Sequence, residues 1–350
     1  MSATLREVAE RAGVSVRTVS NVVSGFALVA PETRARVQRA LDELSYRPNA
    51  AARHLRGGRS GLVALVVPEL STPYFGELAG RFADEADARS LMLLVQQTGG
   101  DPDRERELLD GVRGQVVDGL IMSPWALSPA ELRRRPGGAP LVLLGEQDAD
   151  GLLDHVVADN VAAARDMTRH LLGLGRTRIA VIGLQPHLHN ATAARRLAGY
   201  REALAEAGLT PDPAREVAVR RLHRADGAAA MRGLLDAGTP VDAVFCFSDQ
   251  LALGALHAAT ERGLRVPADI AVAGFDDVED GRYANPPLTT IAPDKAAIVT
   301  AALDCLAARL DRTTGPGSSG RPGGPAEPRT IVVGHRLEVR ASTRGPSLPG

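Results

Sequence analysis

From Leu62 onward the chain repeats one pattern: a short apolar run, a stretch of helical periodicity, then another apolar run. "LVALVV" (62–67) begins it, and further runs fall at 91–96, 117–122, 140–144, 155–158, 178–182, 215–219, 241–247, 270–274 and 288–291. An unbroken apolar run marks a strand covered on both faces, as in a parallel sheet with helices above and below. Strands alternating with helices give doubly wound parallel sheets. Ten strands are too many for one compact sheet, so two lobes are expected, with a ligand cleft between them. The first lobe should hold about 61–159 and 292–312, the second about 160–291 and 329–342. The chain should cross between them near 159–162, near 290–292 and after the last helix, 293–312. Residues 313–328, "TTGPGSSGRPGGPAEP", are rich in Gly and Pro and read as a flexible insert. Two terminal strands, 329–333 and 336–340, follow, and the residues beyond 340 read as a loose tail.

The first sixty residues differ in pattern and in charge. They carry ten Arg against five Asp or Glu, a net +5, which leaves −6 on the other 290 residues of a chain whose total is −1. A basic head on an acidic body suggests an anionic partner for the head alone. Thr4 and Glu7 have capping-box spacing. Leu5, Val8, Ala9 and Ala12 then follow a helical period, and Gly13 supplies a stop. Ser15 can cap a second helix, about 16–23, with Val19 and Val22 inward. Pro31 opens a third, with the stripe Val37, Ala40, Leu41 and Leu44. Two short helices around a glycine turn make a helix-turn-helix, although that spacing also occurs in unrelated helical domains.

Several function classes lack their signatures. "GLGR" (173–176) precedes its strand instead of following it and fails the dinucleotide template, and no Walker sequence occurs. Ser123, Asp159 and His155 are triad residue types without a nucleophile-elbow sequence. His187 and His189 lack a neighbouring cysteine or carboxylate cluster, and Cys246 and Cys305 sit in apolar runs without a disulfide framework. No catalytic set, metal site or cofactor is therefore expected. No signal-type apolar core or membrane span is found, and the expectation is a cytoplasmic protein. A solute-binding protein or an enzyme of the same two-lobed shape is the competing class.

The segments "TLREVAERAGVSVRTVSNVVSG" and "VAPETRARVQRALDELSYRPNAAARHLRGG" resemble the DNA-binding head of the LacI/GalR (lactose-repressor) family over residues 4–60. The body repeats family-like phrases in family order, among them "VVDGLIM" (116–122), "RLAGYREAL" (196–204), "AVFCFSDQLALGAL" (243–256) and "GLRVPADIAVAGFDD" (263–277). The resemblance implies an all-α helix-turn-helix domain (1–48), a hinge helix and linker (49–60) and a two-lobed, periplasmic-binding-protein-like sensor (61–350).

By the same resemblance, helix 16–23 lies in the major groove, with Val16, Arg17 and Asn21 at base edges. Arg17 can donate twice to a guanine, Asn21 can bond a base edge or a phosphate, and Val16 offers only apolar contact. Thr18, Ser20, Ser24, Arg53 and Arg56, with Arg59, fall where phosphates are touched. Leu55 stands at the family's minor-groove wedge. Read alone it would be a leucine packed on the body. The alanine-rich segment 49–56 is marginal as an isolated helix and should order on DNA.

In the sensor the resemblance points to Tyr74, Phe75, Arg196 and Asp276 at the effector, with Asp159 and Ser248 beside them. Phe75 also fits core packing. Ser248 replaces an asparagine found in some relatives, and Asp249 is a candidate cap for the helix that starts there. Trp125, the only tryptophan, could form a stacking wall. An arginine, a carboxylate and aromatic faces suit a sugar, with a purine or nucleoside as the alternative. The implied partners are double-stranded operator DNA and a second subunit, with a tetramer left open. The apolar face of helix 76–86 is one candidate dimer surface.

Overall fold

The computed structural model describes residues 3–23, 29–44, 46, 60–111, 117–134, 139–146, 151–188, 191–313 and 327–344. The expectations for Ser24, Arg53, Leu55, Arg56, Arg59, His189, the hinge helix and most of the insert fall outside these residues. The chain divides into two compact units, Met1–Ser60 and Gly61–Gly350.

The first unit has three helices, α1 (Leu5–Ala12), α2 (Val16–Val23) and α3 (Pro31–Glu43). The Thr4–Glu7 capping box forms in both directions: Glu7 N–H donates to Thr4 Oγ1 at 3.3 Å and Thr4 N–H to Glu7 Oε2 at 2.6 Å. Gly13 ends α1 at φ +64°, a value that favours glycine. Ser15 Oγ accepts the Thr18 N–H at 3.1 Å and so opens α2. Val8, Val19 and Val37 are fully buried at the centre, one from each helix.

The second unit contains two six-stranded sheets. The strands are β1 (Leu62–Val67), β2 (Met92–Gln97), β3 (Gly119–Met122), β4 (Leu141–Leu144), β5 (Asp154–Ala158), β6 (Ile179–Leu184), β7 (Glu216–Ala218), β8 (Ala243–Cys246), β9 (Ala271–Phe275), β10 (Thr289–Pro293), β11 (Thr330–Val333) and β12 (His335–Glu338). The longer helices between them are α4 (Pro73–Ala88), α5 (Pro102–Gly111), α6 (Pro129–Arg133), α7 (Asn160–Gly173), α8 (Thr192–Glu206), α9 (Arg224–Asp236), α10 (Asp249–Glu261), α11 (Glu279–Arg282) and α12 (Lys295–Thr313).

The first-lobe sheet runs β2-β1-β3-β4-β5-β11 and is parallel throughout. The second runs β7-β6-β8-β9-β10-β12 and is parallel except at the β10–β12 edge. Each order reverses direction once, between β1 and β3 and between β6 and β8. The loops leaving these strands open a crevice at that point. Helices α4 and α12 cover one face of the first sheet. The pairs α9/α10 and α7/α8 sandwich the second.

Three expectations are corrected. Residues 329–333 do not join the second lobe: β11 pairs with β5 of the first, from Thr330↔His155 to Val333↔Ala158. Asp154 fixes it there, because its buried carboxylate accepts from Arg309 Nε at 2.7 Å and from the Arg329 N–H at 2.9 Å. The third crossing is therefore at Gly334, between β11 and β12. The residues after 340 are not all loose. Ser342 and Thr343 are buried, and Ser342 Oγ donates to the Val272 carbonyl at 2.6 Å while accepting from the Thr289 N–H at 2.8 Å. Finally, the apolar face of 76–86 is not free, since Leu78, Phe82 and Ala86 are packed in the lobe's own core. The exposed apolar side chains near it are Met92 (63%) and Leu94 (36%) on edge strand β2.

Candidate functional site

On the head, Val19 and Val22 turn α2 toward the core and leave its other face outward. Val16 and Arg17 are exposed, and Thr18, Ser20 and Asn21 are half-buried. Thr18 also shares a hydroxyl–hydroxyl bond of 2.9 Å with Ser15. An exposed arginine and an asparagine one turn apart on a short helix can meet adjacent base pairs.

In the second unit, the crevice between the lobes encloses a cavity of about 110 Å³. Tyr74 and Phe75 reach it from the first turn of α4, where Pro73 sets the helix start. Their rings meet edge-on at 5.2 Å between centroids, and Phe75 meets Trp125 at 6.0 Å. Trp125 is held by a buried carboxylate. Glu105 accepts the N–H groups of Trp125, Ala126 and Leu127 at 2.8, 3.0 and 3.0 Å.

The opposite wall is polar. Arg196 of α8 is buried, with its guanidinium 3.4 Å from the centroid of the Phe275 ring. Its Nε donates to Asn160 Oδ1 at 2.7 Å and another nitrogen donates to the Phe247 carbonyl. Burial pulls the pKa of Arg196 down, and the nearby Asp276 opposes that shift. Asp276 follows β9 at φ +120°, an unusual conformation for a side-chain-bearing residue. Burial raises its carboxyl to about 6, with Arg196 and Lys295 pulling the other way. Burial also raises the Tyr74 phenol, and Asp276 adds to the effect.

The residues behind this wall were not all anticipated. Ser248, not Asp249, caps α10, accepting the Leu251 N–H at 3.2 Å. Asp249 is instead fully buried behind Asp276. It accepts from Thr290 Oγ1 at 2.6 Å and from the Val278 N–H at 2.9 Å. Burial and the neighbouring Asp276 raise its pKa well above the usual range. Asp159 does not face the cavity; it is exposed and caps α7 through the Ala162 N–H at 2.9 Å. Its neighbour Asn160 lies on the wall and bonds Arg196 on one side and Glu146 on the other. Burial raises the Glu146 carboxyl, which also stands 2.7 Å from Arg195 Nε. Ser123, Asp159 and His155 form no triad, because the His155 ring bonds the Gly145 carbonyl.

Contacts across the crevice join the lobes. His223 Nε2 lies 2.6 Å from Glu69 Oε2, and the Glu279 N–H donates to Glu77 Oε1 at 2.9 Å. Lys295 pairs with Glu77 and donates to the Asp277 carbonyl at 3.1 Å.

Residues 4–49 match the model of bacterial regulatory proteins of the lacI family, and 168–343 match a periplasmic binding protein-like domain. The chain is 33% identical to the HTH-type transcriptional regulator DegA of Bacillus subtilis (strain 168), over 98% of both. The chain belongs to the LacI family. Among solved structures it is similar to the lac repressor dimer bound to operator and an anti-inducer, with 28% identity, a TM-score of 0.84 and coverage of 98% of this chain and 99% of that one. It is also similar to the regulator CelR in complex with cellobiose, with 31% identity, a TM-score of 0.71 and coverage of 97% and 99%.

As a LacI-family member the chain is a ligand-responsive, DNA-binding transcriptional regulator, and its relatives are regulators, not enzymes. Among the described residues no helix is long and apolar enough to cross a membrane. Sequence reading missed Glu105, Glu146 and Asn160. All are polar residues whose partners lie far along the chain, and none carries a local signal.

Proposed function

We propose that this LacI-family chain represses genes of sugar uptake or catabolism, and that a sugar in the crevice weakens its grip on a near-palindromic operator. The observation that supports this is one cavity lined by both Arg196 and Asp276 together with the aromatic walls of Tyr74, Phe75 and Trp125. Arg196 only donates and ionised Asp276 only accepts, so ring hydroxyls can satisfy both, while an aromatic face covers the apolar side of a pyranose. The cellobiose complex of CelR supports the same class of ligand.

Two copies acting together would read two half-sites through α2, with Arg17 and Asn21 at base edges and Val16 at a thymine methyl. Thr18, Ser20 and Ser24, and Arg53 and Arg56 of the hinge, would hold phosphates. Leu55 would wedge the minor groove and bend the duplex. Effector would bias the angle between lobes and so the spacing of the two hinges. The exposed Met92 and Leu94 of β2 offer apolar surface for the dimer.

The test is a thermal-shift screen of the full chain against monosaccharides, disaccharides, purine bases and nucleosides, followed by operator binding with each hit. Stabilisation by sugars, with weakened operator binding, is the expected result. Stabilisation by purines alone would overturn the sugar reading in favour of a purine- or nucleoside-responsive regulator.

A further inference from the structure

Glu69 and His223 belong to different lobes. Glu69 stands in the turn between β1 and α4 of the first, and His223 in the turn between β7 and α9 of the second. His223 Nε2 lies 2.6 Å from Glu69 Oε2. An ionised carboxylate only accepts, so Nε2 carries the hydrogen and donates it, whether the ring is neutral or charged. On one side the pair adjoins the cavity lining. Thr72 Oγ1 donates to the same carboxylate oxygen at 3.3 Å, Leu222 precedes His223 in the chain, and both Thr72 and Leu222 line the cavity. On the other side it meets solvent, with the two side chains 16% and 37% exposed. A pair with the cavity behind it and water in front stands at the rim.

Neither partner sits on a segment free to follow the other. The Leu70 N–H donates to Gln97 Oε1 at 2.8 Å and the Thr72 N–H to the Glu69 carbonyl at 3.3 Å, which ties the Glu69 turn to β2 and to the start of α4. The Gly227 N–H donates to the His223 carbonyl at 3.0 Å and so starts α9, while the Arg221 N–H donates to Asp226 Oδ1 at 3.3 Å. Arg224, next along the chain, is paired with Asp280 of its own lobe. Separating the lobes at this point therefore breaks the contact instead of bending it.

The other contacts between the lobes lie by the crossings. Asn160, which bonds Glu146, opens the helix that follows the first crossing, and Lys295, which reaches the Asp277 carbonyl, follows closely on Pro293. Glu77 and Glu279 line one groove with Pro293, Lys295 and Gly334. Glu69 and His223 are not part of that groove and are remote in the chain from all three crossings. A contact near the axis of a domain rotation changes little in length, whereas one at the rim must part.

We propose that Glu69 and His223 form a latch across the mouth of the crevice, and that its opening sets how readily small molecules exchange with the cavity. Neither side chain lines the cavity, so the latch acts on the path in and out, and in the same way for any occupant.

The experiment reads Trp125, the only tryptophan and part of the cavity lining. Quenching of its emission by acrylamide, a small neutral probe, is measured on the full chain without effector. The parent is compared with Glu69→Gln, His223→Gln and the double variant, and urea midpoints by circular dichroism check that each is folded. The probe reaches this wall when the crevice is open, so the Stern–Volmer constant follows the open population. Loss of a partly exposed pair should raise that population, and the constant, about threefold. Each single variant should give this rise, and the double variant should give no more than either, because both changes remove one contact. A constant unchanged in either single variant overturns the latch, and so do two rises that multiply in the double variant. Either single variant is decisive alone for the first outcome, so failure of one to fold leaves the other to decide. No effector is present, and the result is independent of the sugar reading.

Discussion

Replacing Glu105 with alanine would remove the acceptor that fixes the Trp125 loop on the cavity wall. Glu105 is fully buried, and its two carboxylate oxygens accept three consecutive backbone N–H groups at 2.8–3.0 Å. Alanine leaves all three without an acceptor. Each unsatisfied group costs about 1–3 kcal/mol. With water entering to satisfy part of the loss, the net destabilisation should be about 3–5 kcal/mol. At about 2–4 °C per kcal/mol for a unit of this size, the melting transition should fall by roughly 10 °C. Glu105→Gln keeps one acceptor oxygen and should lose about half as much. Trp125 is the only tryptophan, so its emission reads the loop directly. Urea and thermal denaturation followed by emission and by far-UV circular dichroism should show a lower midpoint and a red-shifted native spectrum for Glu105→Ala. A loss under about 1 kcal/mol with unshifted emission would refute the idea that this carboxylate holds the wall in place.

The Asp276 carboxyl is raised to about 6 in the fold against 3.8 for its ordinary value. The fold therefore binds this proton more tightly, and the stability it brings is complete below pH about 4 and lost as pH rises through about 6. At about 1.4 kcal/mol per pH unit this amounts to roughly 3 kcal/mol. Asp276→Asn should be more stable than the parent at pH 7, with the gap closing toward pH 4. A gap in urea midpoints that does not change with pH would count against it. Gly254 and Gly233 should respond to alanine with opposite signs. A Cβ on Gly254 would lie 2.0 Å from the Arg224 carbonyl oxygen and push α10 off α9, whereas one on the exposed Gly233 meets nothing within 4 Å. Gly254→Ala should cost about 3 kcal/mol by overpacking, and Gly233→Ala should gain about 0.5–1 kcal/mol from helix propensity; equal midpoints would contradict both. Arg17→Ala should lower the preference for operator over random duplex by about 1–3 kcal/mol while sparing binding to the random duplex. Anisotropy titrations at fixed salt measure this, and an unchanged ratio removes Arg17 from the base-reading set.

The elements that sequence made legible are those encoded over one or two turns of chain. Thr4, Gly13, Ser15 and Pro31 mark helix ends by local hydrogen bonds and fixed dihedrals, and each acts at its expected place. The apolar runs from β1 to β10 likewise stand where periodicity put them. Long-range choices were not legible. Nothing in "RTIVV" says that it pairs with β5, because that choice is made by Asp154, some 175 residues earlier. The same holds in the crevice. Tyr74, Phe75, Trp125, Arg196, Ser248 and Asp276 do line one cavity. Asp159 and Asn160 are adjacent in sequence, yet the geometry of the α7 start turns one outward as a cap and the other inward. Asp249 looked like a cap because it begins a helix, but Ser248 precedes it by one residue and takes that position.

The exchange of β11 and β12 between the two sheets has a consequence for how the chain is made. Strand β5 pairs with β11, and β10 with β12, so each sheet has an edge that closes only with residues beyond Thr330. During synthesis at about 5–20 residues per second, β5 emerges some 10–35 s before its partner. In that interval its backbone donors and acceptors along one side are unmatched, which is the condition under which nascent chains pair with one another. A message that stopped short of Thr330 would deprive both lobes at once, and would yield two open edges instead of one shortened domain.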